Sequence, residues 1–361
     1  MTRSDGLTFR QLMALTFVCL LSPAIRLLPR AAAGSVGAGA WLAPLIAAVP
    51  AAGLTALLRA LMKNRREGES LARILLRALG RGPGKAVCLL LGLWLVFYTG
   101  IILRTGAERL LSTVYVGGSP GFFMAVTALA ALAVSFGRVR SLGRMGEVSA
   151  LALGIVLALV LALSAPDIRP ENLLPAPGPA SGFLAAALPV LSVTAKGFLF
   201  PLLPGGVMRE RRELAVSLRW TGLLLLVMLG ITAATVGALS ADVAAGLQHP
   251  FFIMIRNISV FGVIERIEAV VITLWVVTDF LFVAVLLRIF DELFAAVAER
   301  ESPWPLHPIL AGCSVACGLL AARDAFTLER LSQAVVPAVN LLLALILSTV
   351  ALIVGKLRRT V

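Results

Sequence analysis

Apolar runs long enough to cross a membrane recur along the whole chain, and they constrain its fold more than any other feature. Each run reaches about 20 residues, the length at which a helix spans the hydrocarbon core. The apolar residues do not alternate with polar ones, as the strands of a membrane barrel require. The runs therefore predict an all-α membrane protein of about ten transmembrane helices, at residues 9–28, 39–62, 85–111, 120–137, 146–165, 182–204, 216–239, 267–290, 304–321 and 332–355.

Charged residues are scarce for a chain of this length. Asp, Glu, Lys and Arg make up 14% of the 361 residues and hydrophobic residues make up 59%, whereas ordinary soluble domains carry about 25% charge. The net charge of +13 would suggest nucleic-acid binding in a soluble protein, but here the basic residues form short clusters between the apolar runs. Such clusters set membrane topology and attract anionic headgroups, so we expect the lipid bilayer, and not nucleic acid, as a partner.

The distribution of Lys and Arg predicts that both termini are cytoplasmic. With that orientation, 22 basic residues fall on the inner side and nine on the outer side, while Lys196 lies within a span. This bias is what the positive-inside rule requires. An alternative is that the apolar stretch 12–21, followed by alanines at 31–33, is a cleaved signal peptide. Cleavage would leave nine spans and the same inner loops.

Two connecting segments have apolar faces of their own. Residues 69–79 place Glu69, Arg73 and Arg77 on one helical face and apolar residues on the other, which predicts a short amphipathic helix on the inner membrane surface. The longest outer stretch, residues 241–263, contains Pro250 followed by an apolar run. We interpret it as a helix that lies on the outer surface.

Two of the predicted spans are interrupted at matching positions. Ten spans divide into two repeats of five, about residues 9–165 and 182–355, within a single transmembrane domain, and the odd number gives the second repeat inverted topology. The interruptions predict unwound turns that face each other around a central binding site; ordinary proline kinks are the alternative. The turns consist of Ser22, Pro23 and Ala24 in the first span and Thr194, Ala195, Lys196 and Gly197 in the sixth.

Lys196 and Asp279 each lie well inside an apolar span. A central charge costs about 2.5–3.5 kcal/mol on insertion scales, so such residues usually face a cavity or a partner. We hypothesise that the two line the same cavity and pair directly or through water. A neutral form of either side chain, or a Lys196 side chain that extends to the interface, is the alternative.

No motif for catalysis, metal binding or cofactor binding stands out. The sequence has no Walker loop and no GxSxG, HExxH or CxxC pattern. The four cysteines, Cys19, Cys88, Cys313 and Cys317, lie in apolar segments, and no His or carboxylate joins the last two to complete a zinc site. We therefore predict that the chain is not an enzyme and has no metal or cofactor.

Several motifs, taken together in their order along the chain, resemble the spore germination permease family, the B subunits of nutrient germinant receptors in endospore-forming bacteria. Each motif is short, and the most specific is the group around Trp275. The motifs are Thr8–Leu12, Leu28–Arg30, Asp167–Ile168 with Asn172–Pro175, Pro204 with the basic run Met208–Glu213, and Glu265–Glu268 with Trp275.

The resemblance implies a LeuT-type inverted-repeat fold of the amino acid–polyamine–organocation superfamily, with helices 1 and 6 broken. It implies a receptor subunit in the spore inner membrane or cell membrane that binds an amino acid or similar nutrient. Its partners would be an A-type subunit with a large soluble domain and a C-type lipoprotein. A proton-coupled amino acid transporter that uses the same cavity is the alternative function.

The sequence departs from the family pattern at three places. Ser22-Pro23-Ala24 stands where the family has a glycine-rich break. Lys196-Gly197-Phe198 stands where the family commonly has Gly-x-Glu, so the acid is missing. Asp279 stands where family members tend to be apolar.

Overall fold

A computed structural model describes residues 6–66, 68–113, 115, 117–174, 178–258, 267–300 and 305–359. Within these residues the chain is almost entirely helical. The helices are α1 (Phe9–Val36), α2 (Ala43–Ile46), α3 (Ala48–Met62), α4 (Leu71–Leu79), α5 (Arg81–Thr113), α6 (Pro120–Ser135), α7 (Val139–Ser164), α8 (Ala180–Ala195), α9 (Glu213–Leu239), α10 (Ala241–Gly246), α11 (Pro250–Arg256), α12 (Ile267–Val297), α13 (His307–Ala321), α14 (Ala325–Arg330), α15 (Val336–Leu342) and α16 (Ser348–Leu357).

The predicted spans are confirmed as helical segments of a multi-pass membrane protein. In the described residues, seven helical segments are long and apolar enough to cross a membrane, and α6 and α13 are shorter apolar helices. The first long segment, Phe9–Met62, contains two predicted spans. The last predicted span lies within a continuous helical stretch, in which π-helical turns join α14, α15 and α16.

The first span is not broken where the sequence predicted. Helix α1 begins at a capping box formed by Thr8 and Gln11 and continues through Pro23 and Pro29 to Val36. Proline lacks an N–H, so the helix loses one hydrogen bond at each proline, but neighbouring helices in a bundle hold such a helix together. The predicted unwound turn at Ser22–Ala24 is therefore wrong.

The sixth span does change conformation where the sequence predicted. Helix α8 ends at Ala195, and a 3₁₀ helix runs from Lys196 to Leu202. The chain then turns at Gly205 and Gly206, whose φ angles are 82° and 63°. A Cβ atom at Gly206 would lie 2.6 Å from the carbonyl carbon of Gly68, so this turn requires glycine for both its conformation and its close contact.

Both ends of the described chain lie on one side of the bundle. Leu7 forms an isolated β-bridge with Val207, and its carbonyl accepts a 2.9 Å hydrogen bond from the N–H of Met208. Arg358 lies against Gly80, just after α4. We call this the termini side. Helix α1 starts there and ends on the opposite side, where α10 and α11 pack against it.

The two connecting segments form helices, but both pack into the bundle. The apolar face of α4, which includes Leu71, Ile74 and Leu75, is fully buried, and α4 contacts α5, α16 and α12. The predicted outer helix is instead two short helices, α10 and α11. Phe251 and Phe252 of α11 are buried, so this segment packs into the bundle and does not lie on its surface.

Candidate functional site

A cavity lies in the middle of the bundle between α1, α5, α12, the 3₁₀ turn after α8 and the segment around α15. Its volume is about 40 Å³, which is space for about three water molecules. A larger ligand would require the lining side chains to move apart. The lining residues are Ser22, Pro23, Arg26, Tyr98, Ile101, Ile102, Thr105, Arg109, Lys196, Asp279, Phe282, Ser332 and Val336.

Asp279 is the centre of a polar cluster that joins three helices. Its Oδ1 accepts a 2.9 Å hydrogen bond from the hydroxyl of Ser22, and its Oδ2 lies 3.0 Å from Nη2 of Arg109. Arg109 also donates to the Ser22 hydroxyl at 3.4 Å. A Cβ atom at Gly106 would lie 3.3 Å from Asp279 Oδ2, so the glycine leaves room for the carboxylate beside α5. The buried carboxylate is thus paired and hydrogen-bonded, as a charge in this position requires.

Lys196 and Asp279 share a cavity, whereas their pairing through water stays a prediction. Both residues line the central cavity, but among the described residues Asp279 forms its ion pair with Arg109 and forms none with Lys196. The ammonium of Lys196 instead lies 5.9 Å from the centroid of the Tyr98 ring. Lys196 is 3% exposed and is the first residue of the 3₁₀ turn, so the end of α8 directs a cation into the cavity.

Arg109 and Arg26 are cavity residues that the sequence analysis did not single out. The predicted topology places both among the nine outer basic residues, and Arg109 lies near the end of the third predicted span. A signal was present: Tyr98, Ile102, Thr105 and Arg109 recur every three or four residues and so share one face of a helix. All four line the cavity. Polar residues that recur on one face of an otherwise apolar membrane helix indicate that this face packs against other polar groups.

On the side opposite the termini, polar contacts close the cavity. An ion pair joins Arg30 of α1 to Glu329 of α14, and Glu329 also accepts a 2.9 Å hydrogen bond from Gln333. Arg30 further donates to the carbonyl of Ala245 in α10 at 3.3 Å. We call Arg30, Glu329 and Gln333 the lid. Because it connects α1, α10 and α14, the lid blocks the path from the opposite side.

Aromatic contacts surround the cavity on both sides. The guanidinium of Arg109 lies 5.1 Å from the centroid of the Trp275 ring, toward the lid. Toward the termini side, the ring centroids of Tyr98 and Phe282 are 6.0 Å apart and those of Phe282 and Phe200 are 5.9 Å apart. These rings form a floor under the cavity. The cavity is therefore closed on both sides.

His249 lies close to several cations near the lid. Burial, together with the nearby cations Arg109, Arg26 and Arg30, lowers the pKa of His249 to about 3. His249 precedes α11 and lies between the central cavity and the lid. With a pKa that low, His249 is neutral at physiological pH and adds no further positive charge.

The remaining predicted site residues lie elsewhere. Thr194, Ala195 and Gly197 line a second cavity of about 80 Å³. Its walls include two aromatic rings, those of Phe17 and Trp220, with centroids 5.7 Å apart. Ala24 is buried in the core and lines neither cavity. Of the seven residues predicted for the two turns, three therefore line the central cavity: Ser22, Pro23 and Lys196.

Parts of two family motifs fall outside the described residues. Glu265 and Arg266, which belong to the motif before Trp275, lie within the stretch 259–266, and Pro175 ends the motif that begins at Asn172. The structural expectations attached to these residues stay predictions.

Three comparisons place the chain among known proteins. The model of a family described as spore germination protein matches residues 6–304. The crystal structure of MhsT in complex with L-phenylalanine superposes with a TM-score of 0.65 at 14% sequence identity, covering 99% of this chain and 97% of that chain. No curated protein matches the chain.

The fold and the cavity define a multi-pass membrane protein of the LeuT type with a closed, charged cavity at its centre. The family match covers well over half of the sequence. The chain belongs to the spore germination permease family. The fold class and the family resemblance predicted from the sequence are therefore confirmed, apart from the break in the first helix.

Proposed function

We propose that the chain is the membrane subunit of a nutrient germinant receptor, which binds a small nutrient such as an amino acid in the central cavity and signals spore germination. The observation that carries this proposal is the closed central cavity, in which Ser22, Lys196 and Asp279 come from three different elements. Family membership supports the role in germination. The amino acid bound to MhsT, a protein of the same fold, supports the class of ligand.

The proposed partners are an A-type subunit with a large soluble domain and a C-type lipoprotein. They follow from the family resemblance, as does the location in the spore inner membrane or the cell membrane. The proposed orientation, with both termini in the cytoplasm, rests on the bias of basic residues toward the termini side. In this arrangement the lid faces away from the cytoplasm.

A cavity-filling variant tests whether ligand binding occurs in the central cavity. Thr105 lines the cavity, and Thr105→Phe places a large ring there whatever the chemistry of the ligand. The purified chain in nanodiscs should be stabilised against heating by its ligand, by about 2.7 kcal/mol at a ligand concentration of 100 times Kd. We expect Thr105→Phe to abolish this stabilisation.

The matched control is Thr273→Phe, because Thr273 is an exposed threonine of α12 away from the cavity. It should retain the response to ligand. If Thr105→Phe is monodisperse and still responds like the wild type, the central cavity is not the binding site.

The second candidate function is a proton-coupled transporter that uses the same cavity. The lid and the aromatic floor favour it, because a cavity that is closed on both sides by separate groups of residues suits access from alternate sides. Uptake of a labelled nutrient into proteoliposomes that contain this chain alone distinguishes the two functions. A transporter accumulates the nutrient under a proton gradient, whereas a receptor subunit binds it without accumulation.

A further inference from the structure

The central cavity contains more positive than negative charge. Among the described residues, three cationic side chains line it, those of Arg26, Arg109 and Lys196, against the single carboxylate of Asp279. That carboxylate is already engaged by Arg109 and Ser22. Among the described residues, the cavity is therefore lined by two cations, Arg26 and Lys196, that are not paired with its carboxylate.

Arg26 and Lys196 make their closest polar and ring contacts with neutral groups among the described residues. Arg26 donates a 3.4 Å hydrogen bond to the hydroxyl of Ser332, and Lys196 lies against the ring of Tyr98. The acids on the lid side have cations of their own: Glu329 is paired with Arg30, and Glu108 lies 2.7 Å from Arg104. In the part of the chain that the structure describes, neither acid forms an ion pair with Arg26 or Lys196.

Two cations without paired acids, the buried Lys196 and the half-buried Arg26, are costly, because desolvation disfavours each charge and the like charges repel. An anionic ligand between them reverses both effects. A neutral zwitterionic amino acid brings no net charge and leaves the imbalance in place. A ligand with two carboxylates brings the charges that the cavity lacks, and Arg26 offers a planar group that binds a carboxylate through two hydrogen bonds.

We propose that the ligand of the central cavity is a small dicarboxylate, held by Arg26 at one carboxylate and by Lys196 at the other. This inference rests on the proposed function, since it names the ligand class of the same site. Both an acidic amino acid and a dicarboxylic acid without an amino group have this chemistry. The two cations come from different elements, α1 and the turn after α8, so the ligand would bridge them.

Isothermal titration of the purified chain in nanodiscs tests the proposal with glutamate, succinate, glutamine and phenylalanine at constant ionic strength. We expect glutamate, succinate or both to bind, and glutamine and phenylalanine to bind more weakly by about tenfold or more, since a charge-assisted hydrogen bond is lost. Binding of glutamate alone identifies an acidic amino acid, and binding of succinate identifies a dicarboxylic acid.

Variants at Lys196 test whether the dicarboxylate binds in the central cavity. Lys196→Met should weaken dicarboxylate binding by about tenfold or more, and Lys196→Arg should retain it. Without ligand, Lys196→Met should melt at a higher temperature than the wild type, because an uncompensated buried cation is removed. Lys63→Met, at an exposed lysine on the termini side, is the control and should change neither property.

Two outcomes overturn the proposal in different ways. If glutamine or phenylalanine binds as tightly as the dicarboxylates, and Thr105→Phe abolishes that binding, the cavity is the nutrient site but the inferred charge of the ligand is wrong. If none of the four compounds binds, the dicarboxylate inference fails, whereas the proposed nutrient site is judged separately by the effect of Thr105→Phe on the response to a nutrient.

Discussion

Single charged residues decide the chemistry of this cavity, and their effect depends on what each one contacts. Asp279 and Arg109 form a pair whose side chains are 14% and 8% exposed, reinforced by Ser22. Lys196, which the sequence placed as the partner of Asp279, contacts an aromatic ring. The pair engages Asp279 and leaves Lys196 available for a ligand.

We expect Asp279→Asn to destabilise the protein by about 3–5 kcal/mol, because Arg109 is left as a buried charge without its carboxylate partner. Arg109→Met should have a similar cost, and the double variant should recover part of the stability. Unfolding in a denaturant series, measured for the four proteins of the cycle, should give a coupling energy of about 1–3 kcal/mol.

The corresponding cycle for Asp279→Asn and Lys196→Met is the control. Its coupling should be clearly smaller, because no direct ion pair joins these described residues. A larger coupling for Lys196 than for Arg109 would reinstate the pairing that the sequence suggested.

At the scale of the helices, close packing at glycines fixes how α5 lies against α13. A Cβ atom at Gly100 would lie 2.6 Å from the carbonyl oxygen of Ser314, and one at Gly318 would lie 2.5 Å from the carbonyl oxygen of Gly100. Small residues let transmembrane helices approach in this way. Because α5 carries Thr105 and Arg109, this contact sets the position of one wall of the cavity.

We expect Gly100→Ala to destabilise the protein by about 1–3 kcal/mol, because the added methyl group meets backbone atoms that cannot move independently of α13. Thermal unfolding in detergent checks this. Gly222→Ala is the matched control, since Gly222 lies within α9 with no atom within 4 Å of its ideal Cβ position. Equal stability of the two variants would contradict the close approach of α5 and α13.

Much of the helical architecture could be predicted from the sequence, but not the continuity of α1. Both proline-containing spans carried the same local signal, yet only the sixth changes conformation, at Lys196. A proline removes one hydrogen bond in either case. Whether the chain unwinds there depends on the packing around it, and packing is not visible in the local sequence.

On the scale of the whole molecule, the lid joins helices on the side of the bundle opposite the termini, and we expect it to limit access to the cavity. The Arg30–Glu329 pair ties α1 to α14. We expect Glu329→Gln to weaken that tie and to raise the rate at which a Thr105→Cys reporter in the cavity reacts with a polar thiol reagent. Labelling kinetics in a background without the native cysteines measures this.

The control for the lid is Glu171→Gln, which removes an exposed carboxylate on the same side of the bundle. It should leave the labelling rate of Thr105→Cys unchanged. An unchanged rate in Glu329→Gln would show that the ion pair does not limit access.

The topology gives a second prediction at this scale. Ser240, between α9 and α10, lies on the side opposite the termini, and Arg359 lies on the termini side. We expect Ser240→Cys to react with an impermeant reagent added outside intact cells, and Arg359→Cys to react only after the membrane is opened. Reaction of both from one side would contradict the three spans predicted between these two positions, and the reverse pattern would contradict the cytoplasmic orientation.

The sequence by itself determined the helical class, the positions of the spans and the family, because each membrane helix satisfies its own backbone and must be apolar over its length. The tertiary structure alone decided that Asp279 pairs with Arg109, that Thr194, Ala195 and Gly197 face a second cavity, and that α4 and α11 are buried. These outcomes depend on how each helix is rotated and how closely its neighbours approach. Those quantities arise from contacts between residues far apart in the chain.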